Sequence, residues 1–274
     1  MTTVSDVEVS FPGDHPIDRW AFGSLVDFRT RAKIMEPASG ALGVTVFYAP
    51  GSSRMTPPDE TSPDIAEFLS SGYRVVSLGW DVLPYNPYKF NYGSTGEPQH
   101  LHRWIKAAWQ LHAVIDELST GNYIVVGRSL GATAVLAWAA NYHTPSTKLW
   151  QQSSCRGVIA DGATLAGLGG NRWNDITRTV NELSQMVGLC EVPEKVLLTY
   201  GAQDDYFPPD AQNRLRSIVP AEMKMITVPN SNHSWFVTNP QGPSIARTWI
   251  DQIRTGATIT LADGTTPAKP GAKA

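Results

Sequence analysis

The sequence is poor in cysteine, in net charge and in long apolar runs, and each shortage excludes a class of protein. Two cysteines in 274 residues, Cys155 and Cys190, are too few for a disulfide scaffold and lack metal-ligand spacing. We expect two buried free thiols, and the alternative is one disulfide between them. Lys and Arg number 22 against 25 Asp and Glu, and this net charge of −3 argues against a nucleic-acid partner.

Apolar residues nowhere form a run of the roughly 18 that a membrane-spanning helix needs. Residues 1–13 are polar and lack an apolar signal core, which predicts a non-secreted, cytoplasmic protein, although a processed chain would look the same. A chain of 274 residues that is 42% hydrophobic can bury a large core. We therefore expect one α/β domain over residues 1–255 and a disordered tail over 256–274.

Apolar, β-branched runs alternate with helical patterns along most of the chain. The runs predict buried strands at 29–35, 44–48, 73–78, 123–126, 157–160, 196–200 and 223–228, with an edge strand or hairpin within 1–27. Between them the spacing predicts helices at 63–69, 102–118, 130–140, 209–218 and 244–253. This alternation indicates a doubly wound, mostly parallel sheet flanked by helices. Residues 163–193 break the rhythm and are expected to form a small cap or lid insertion.

The motif Gly127-Arg128-Ser129-Leu130-Gly131 lies between a predicted buried strand and a predicted helix. A chain that turns this sharply from strand into helix crowds the backbone beside the serine, so both flanking positions must be small. The turn lifts the serine hydroxyl clear of the sheet. It also sets the serine at a helix N-terminus, where backbone N–H groups stabilise an anion. The motif therefore predicts a nucleophile, the alternative being a serine that only caps a tight turn.

From residue 29 to 253 the chain resembles an α/β hydrolase of the serine esterase and lipase type. The resemblance rests on the Ser129 motif, on the turn Gly201-Ala202-Gln203-Asp204 after a strand, and on His233 after the last strand. In this family the catalytic residues follow the chain order serine, acid, histidine. The resemblance implies that Ser129 is the nucleophile, Asp204 the orienting acid and His233 the base.

General chemistry agrees with these roles. A serine hydroxyl is a weak nucleophile until a base removes its proton, and an imidazole does this near neutral pH. A carboxylate behind the imidazole holds its tautomer and stabilises the charge that it acquires. Asp205 and Asp161 are alternatives for the acid, Asp161 because it ends a neighbouring strand. His100 and His102 have no acidic or cysteine partners nearby, so no metal site is expected.

The resemblance also implies an oxyanion hole built from two backbone N–H groups. Leu130, directly after the nucleophile, is expected to provide one. The other should come from the loop after the strand 44–48, where many relatives have His-Gly and this chain has Pro50-Gly51-Ser52-Ser53. Proline has no N–H, so Ser52 is the predicted donor and Gly51 the alternative.

Aromatic residues are concentrated in the predicted loops at the carboxyl ends of the strands, which is where ligands bind in such sheets. We predict that five of them contact substrate: Trp80, Trp173, Tyr206, Phe207 and Trp235. Such a wall favours an apolar or aromatic acyl or alcohol group. The alternative is that these rings only fasten long loops to the core.

The sequence therefore predicts a serine hydrolase that cleaves a small-molecule carboxylic ester through an acyl-enzyme, with no cofactor. Serine at the motif argues against haloalkane dehalogenases and epoxide hydrolases, which have aspartate there, and against the dienelactone type, which has cysteine. Amidase, thioesterase and C–C hydrolase activities use the same residues and stay open as alternatives. So does a non-catalytic binding protein on this fold, although such proteins often lack a triad member.

Overall fold

The computed structural model describes residues 2–11, 28–38, 40–51, 56–83, 100–142, 154–165 and 172–260. The strands in these ranges are β1 (Thr3–Phe11), β2 (Phe28–Glu36), β3 (Val44–Ala49), β4 (Arg74–Leu83), β5 (Asn122–Arg128), β6 (Cys155–Asp161), β7 (Val196–Gly201) and β8 (Lys224–Val228). The α-helices are α1 (Pro63–Ser70), α2 (His100–Leu118), α3 (Leu130–Ala139), α4 (Arg172–Leu189), α5 (Pro209–Arg216), α6 (Trp235–Thr238) and α7 (Gly242–Thr255).

All eight strands belong to one sheet, in the order β1-β2-β4-β3-β5-β6-β7-β8. Strand β2 runs antiparallel to both β1 and β4. Every neighbouring pair from β4 across to β8 is parallel. The predicted doubly wound, mostly parallel sheet is therefore confirmed. Its parallel strands end at one edge, and the loops at that edge carry the candidate site.

The central strands are buried on both faces, which explains why their sequences read as continuous apolar runs. On β5, Val125 packs in a cluster with residues of α2, α3, α4 and α5. Its neighbours Ile124 and Val126 point to the opposite face, into a second cluster with residues of α1, α6 and α7. Because side chains alternate along a strand, one short run supplies both layers of the core.

Strand β4 is longer than the prediction of 73–78. It continues to Leu83 because its far end pairs with β2, with Thr30 opposite Val82. The register of this pair shifts between Thr30 and Ala32, so that three residues of β4, 79–81, lie opposite Arg31 alone. Trp80 therefore lies in a strand at a β-bulge, whereas the sequence placed it in a loop.

Within the predicted cap, 163–193, the structure contains helix α4. Its apolar face is buried in the core through Val180, Leu183, Met186 and Val187. This helix belongs to the layer that covers the sheet, and the cap stays a prediction because 166–171 lies outside the described residues. The first residues of the predicted tail are held against α7, where Trp249 Nε1 donates to the Thr260 carbonyl at 2.8 Å and Ile259 is buried.

Both cysteines are free and buried. Burial raises the pKa of the Cys155 thiol to about 12. Burial also raises the pKa of Cys190, to about 11, with a smaller contribution from Glu194 and Glu191. The expectation of two buried thiols is confirmed, and the two thiols have the properties of small apolar core residues.

Candidate active site

Ser129 occupies the turn between β5 and α3 with φ 52° and ψ −116°, a conformation that non-glycine residues rarely adopt. The turn is possible because the residues two positions before and two positions after Ser129 lack side chains. A Cβ on Gly127 would overlap the Gly131 carbonyl, and a Cβ on Gly131 would overlap the Ala49 carbonyl. The Ser129 N–H donates to the Asp161 carbonyl at 2.8 Å, which ties the turn to the end of β6.

Ser129, His233 and Asp204 form one continuous hydrogen-bonded chain, although 104 and 29 residues separate the bonded pairs. His233 Nε2 lies 3.0 Å from Ser129 Oγ. His233 Nδ1 lies 2.8 Å from Asp204 Oδ2. The side chain of His233 is 12% exposed and that of Asp204 is fully buried. The chain can pass a proton from the serine to an imidazole whose other nitrogen is held by a carboxylate.

Asp204 is fixed through both of its carboxylate oxygens. While Oδ2 faces His233, Oδ1 accepts from the backbone N–H groups of Tyr206 at 2.9 Å and Phe207 at 3.0 Å. These bonds stabilise the ionised carboxylate and prevent its rotation. The neighbouring Asp205 is exposed and lies outside this chain of hydrogen bonds.

The loop that carries His233 is held against the loop that carries Asp204. Gln203 N–H donates to the Ser231 carbonyl at 2.7 Å. The two backbones approach so closely at Gly201 that a Cβ there would overlap the Ser231 and Asn232 carbonyls. Glycine at the end of β7 therefore allows the acid and the base to come within hydrogen-bond distance.

Two further residues lie against the imidazole ring and were not singled out for this from the sequence. Gly162 has φ +66°, and a Cβ at this position would lie 3.0 Å from His233 Cε1. On another side the Tyr206 ring lies 4.7 Å from the His233 ring, centroid to centroid, with 41° between the planes. In the sequence, Gly162 stands out only as a glycine directly after a buried strand. Its contact with His233 joins segments that are distant in sequence, so the sequence alone did not predict it.

Asp161, the alternative acid, lies beneath the site and is bonded elsewhere. Its Oδ1 accepts from Thr199 Oγ1 at 2.7 Å and from Trp235 Nε1 at 2.8 Å. Burial raises the pKa of Asp161 to about 6, against the opposing effects of Arg128 and of these two hydrogen bonds. Asp161 therefore anchors the region after His233, and its carboxylate is not the one that holds the imidazole.

Arg128, the variable residue before the nucleophile, extends into this buried polar region. Its Nε lies 3.9 Å from Asp161 Oδ2, and neither atom has a hydrogen-bond partner among the described residues. Its Nη1 donates to the Tyr48 hydroxyl at 3.3 Å, and that hydroxyl in turn donates to the buried Asp64 carboxylate. A buried charge that depends on so few neighbours is strongly destabilised when one is removed.

The structure describes two of the three residues that were predicted as possible oxyanion donors. Leu130 is the first residue of α3, and its amide is the one that follows Ser129. Gly51, the alternative second donor, packs beside the nucleophile, because a Cβ on Gly51 would lie 3.5 Å from Ser129 Cβ. Ser52, the preferred second donor, lies outside the described residues and stays a prediction.

Three of the five predicted substrate-contacting aromatics are buried in the core. Phe207 is 0% and Trp235 1% exposed, and Trp235 packs with Phe236 and Trp249 behind the sheet. Trp80 is 7% exposed and donates its indole N–H to backbone carbonyls. The structure contradicts a direct substrate contact for these three, because their rings have almost no surface for a ligand.

The burial that excludes substrate contact for these three is not found for Tyr206 and is not described for Trp173. Tyr206 is 37% exposed beside the imidazole and can meet a substrate. Trp173 lies on α4, but its side chain is outside the described residues, so its substrate contact stays a prediction.

Within the described part of the chain, no group of three or more His, Cys, Asp or Glu side chains could hold a metal ion. Over the same residues, no helix combines the length and the apolar character that crossing a bilayer requires.

An eight-stranded, mostly parallel sheet with a Ser-His-Asp chain on the loops at its carboxyl edge is the α/β-hydrolase fold. Comparison with solved structures supports this assignment. An esterase from Pyrococcus furiosus matches 91% of this chain and 92% of its own, with a TM-score of 0.54 and 13% identity. The esterase domain of a Rhodothermus marinus protein matches 91% of this chain and 99% of its own, with a TM-score of 0.52 and 14% identity.

A bacterial membrane phospholipase A also matches, over 91% of this chain and 87% of its own, with a TM-score of 0.53 and 11% identity. No family model matches the sequence, and no curated protein matches it. At identities this low the likeness establishes the fold and leaves the reaction to be argued from the site.

Proposed function

We propose that this protein is a serine hydrolase that cleaves a carboxylic ester through an acyl-enzyme, with Ser129 as nucleophile, His233 as general base and Asp204 as orienting acid. The observation that carries the proposal is the continuous chain from Ser129 Oγ through the imidazole to the buried Asp204 carboxylate, with contacts of 3.0 and 2.8 Å. Both distances are within the range that proton transfer requires.

In the acylation step, His233 Nε2 takes the Ser129 proton as Oγ attacks the ester carbonyl. The Nδ1 proton stays in the hydrogen bond to Asp204, whose negative charge stabilises the imidazolium. The carbonyl oxygen becomes an oxyanion, which accepts from the Leu130 N–H and from a second amide in the turn after β3. Collapse of this intermediate expels the alcohol, which receives the proton from His233.

In the deacylation step, water replaces the alcohol and the same residues act in the same order. His233 removes a proton from the water as its oxygen attacks the acyl carbon. Ser129 then leaves with that proton, and the carboxylic acid departs. Each cycle returns the imidazole to its neutral state, so the reaction needs no cofactor.

The exposed Tyr206 ring supports a substrate with an apolar or aromatic group near the scissile bond. It is the one predicted substrate aromatic, among those with a described side chain, that keeps substantial exposed surface. A flat apolar ring beside the base can pack against an alcohol or acyl group of similar character.

The test combines an active-site probe with a substrate screen. A fluorophosphonate should label wild-type protein at Ser129, and Ser129→Ala should remove both label and turnover. Short, medium and aromatic esters should be compared with matched amides and thioesters, and esters should show the highest kcat/KM. Labelling that persists in Ser129→Ala would refute the nucleophile assignment. Faster turnover of amides or thioesters would keep the mechanism but replace the substrate class.

A further inference from the structure

Trp80 lies beside the active site without a surface for substrate. Trp80 lies where the register between β2 and β4 shifts at a β-bulge, and such bulges re-aim side chains. The indole Nε1 donates to the Pro50 carbonyl at 2.9 Å and to the Gly51 carbonyl at 3.2 Å. One buried N–H therefore holds two consecutive peptide groups of the turn after β3.

This turn is in contact with the nucleophile. A Cβ added to Gly51 would lie 3.5 Å from Ser129 Cβ, an ordinary van der Waals contact. The Pro50 carbonyl lies next to Gly131, where an added Cβ would be 2.6 Å away. The turn therefore packs against the start of α3.

The carbonyl directions decide where the amides of this turn point. In a trans peptide the C=O and the following N–H point in opposite directions. Because the Pro50 carbonyl faces the indole, the Gly51 N–H points away from it. The Gly51 carbonyl is the second acceptor, so the indole holds a carbonyl on each side of the Gly51 Cα.

We propose that Trp80 is a positioning residue for the oxyanion hole, which orients the Gly51 amide after β3 through its hydrogen bonds to the Pro50 and Gly51 carbonyls. The inference rests on the proposed serine hydrolase mechanism. Tryptophan suits this role because its indole is a donor only and its ring is rigid. Without the N–H, the two carbonyls lose this donor and the turn can rotate, so the oxyanion meets a misdirected amide.

The decisive comparison is Trp80→Phe against Trp249→Phe. Trp249 is a matched control because its indole is also buried and also donates to a backbone carbonyl, that of Thr260, on the far face of the sheet. The measurements are kcat and KM for a p-nitrophenyl ester, together with inhibition by an arylboronic acid. The boronate forms a tetrahedral adduct with Ser129 and places a negative oxygen in the oxyanion hole.

Removal of a whole oxyanion donor lowers kcat by about 10²–10³, so a misdirected donor should lower it by roughly 10- to 100-fold. Trp80→Phe should show this loss in kcat with KM nearly unchanged, and boronate inhibition should weaken by a similar factor. Trp249→Phe should lower the melting temperature but keep both activity readouts. If Trp80→Phe fails to fold, β-(3-benzothienyl)alanine at position 80 keeps the bicyclic shape with sulfur in place of N–H.

A folded Trp80 variant with wild-type kcat and boronate affinity would overturn this inference and leave the proposed function intact. A loss confined to KM would also overturn it, because it would indicate ground-state binding. Absence of both ester turnover and Ser129 labelling in the wild-type protein would instead refute the mechanism on which the inference rests.

Discussion

The Asp161 carboxylate accepts a hydrogen bond of 2.8 Å from the indole of Trp235, two residues after His233. Asp161 also accepts the Ser129 N–H at its carbonyl oxygen. One residue at the end of β6 thus joins the nucleophile turn to the segment that follows the base. Asp161 is a structural anchor in this arrangement, and Asp204 is the carboxylate that is bonded to His233.

The first prediction distinguishes Asp204 from Asp161 by the loss of kcat when each is replaced by asparagine. Asp204→Asn removes the charge that holds the imidazole, and the equivalent change in a serine protease costs about 10⁴ in kcat. We expect a fall of at least about a hundredfold here. Asp205→Asn is the matched control, since its exposed carboxylate is one residue away, and it should keep near wild-type kcat. Turnover is measured per fluorophosphonate-reactive site.

Asp161→Asn should keep most of the turnover per reactive site while lowering the melting temperature, because it removes one of the two buried carboxylates that neighbour Arg128. The assignment of the acid would be wrong if Asp161→Asn, stably folded, showed the large loss in kcat and Asp204→Asn did not.

The second prediction concerns stability and pH. Burial raises the pKa of Asp161 from 3.8 to about 6, so between these values the folded protein keeps a proton that the unfolded chain has lost. The contribution of Asp161 to stability therefore falls as pH rises from about 4 to about 6 and is constant above. Asp161→Asn removes this dependence, because an amide does not titrate over this range.

Urea unfolding of the wild type and Asp161→Asn at several pH values measures this effect. The wild-type advantage in free energy of unfolding should shrink by on the order of 1–3 kcal/mol across the window. A difference that stays constant with pH, or grows, would show that the Asp161 pKa is not raised by folding.

The third prediction tests the contact between Gly162 and the base. Gly162→Ala and Gly256→Ala both place a side chain at positive φ, +66° and +72°, so both should lose roughly 1–2 kcal/mol of stability. Only the Cβ at 162 meets the imidazole, while the position of Gly256 is open. Gly162→Ala should therefore lower kcat by roughly up to tenfold, since the imidazole must shift by a fraction of an ångström and a misplacement of about 1 Å can cost about a hundredfold.

Steady-state kinetics and thermal unfolding of the two glycine variants provide the check. Equal kcat values in both variants, at similar melting temperatures, would mean that the imidazole tolerates the added methyl group and that its position does not depend on Gly162.

The fourth prediction tests whether Tyr206 contacts substrate. Its ring is 37% exposed and lies 4.7 Å from the His233 ring. Tyr206→Ala should lower kcat/KM for an aromatic ester by about tenfold, the effect of losing an aromatic pair and its buried area, with a smaller effect on an acetate ester. Tyr206→Phe keeps the ring and is the control, with kcat/KM near wild type. Equal losses for both esters would indicate that the ring supports His233 and does not select substrate.

The predictions that held were those that local chemistry decides. The apolar, β-branched runs predicted the parallel strands, because a strand buried on both faces has no room for polar alternation. The Ser129 turn was also readable, since a Cβ at Gly127 or Gly131 would overlap neighbouring backbone. Such requirements act within a few residues, so the sequence by itself determined the fold class and singled out the candidate nucleophile.

Tertiary structure alone decided which partners each residue meets. Asp161 ends β6 and Asp204 follows β7, yet only Asp204 is bonded to His233, because the pairing of β7 with β8 brings the loops after these two strands together. Trp80 and Tyr206 are both aromatics predicted in strand-end loops, but a bulge directs Trp80 to the backbone while Tyr206 stays exposed. Side-chain direction depends on strand pairing between distant segments, and a local sequence pattern does not encode that pairing.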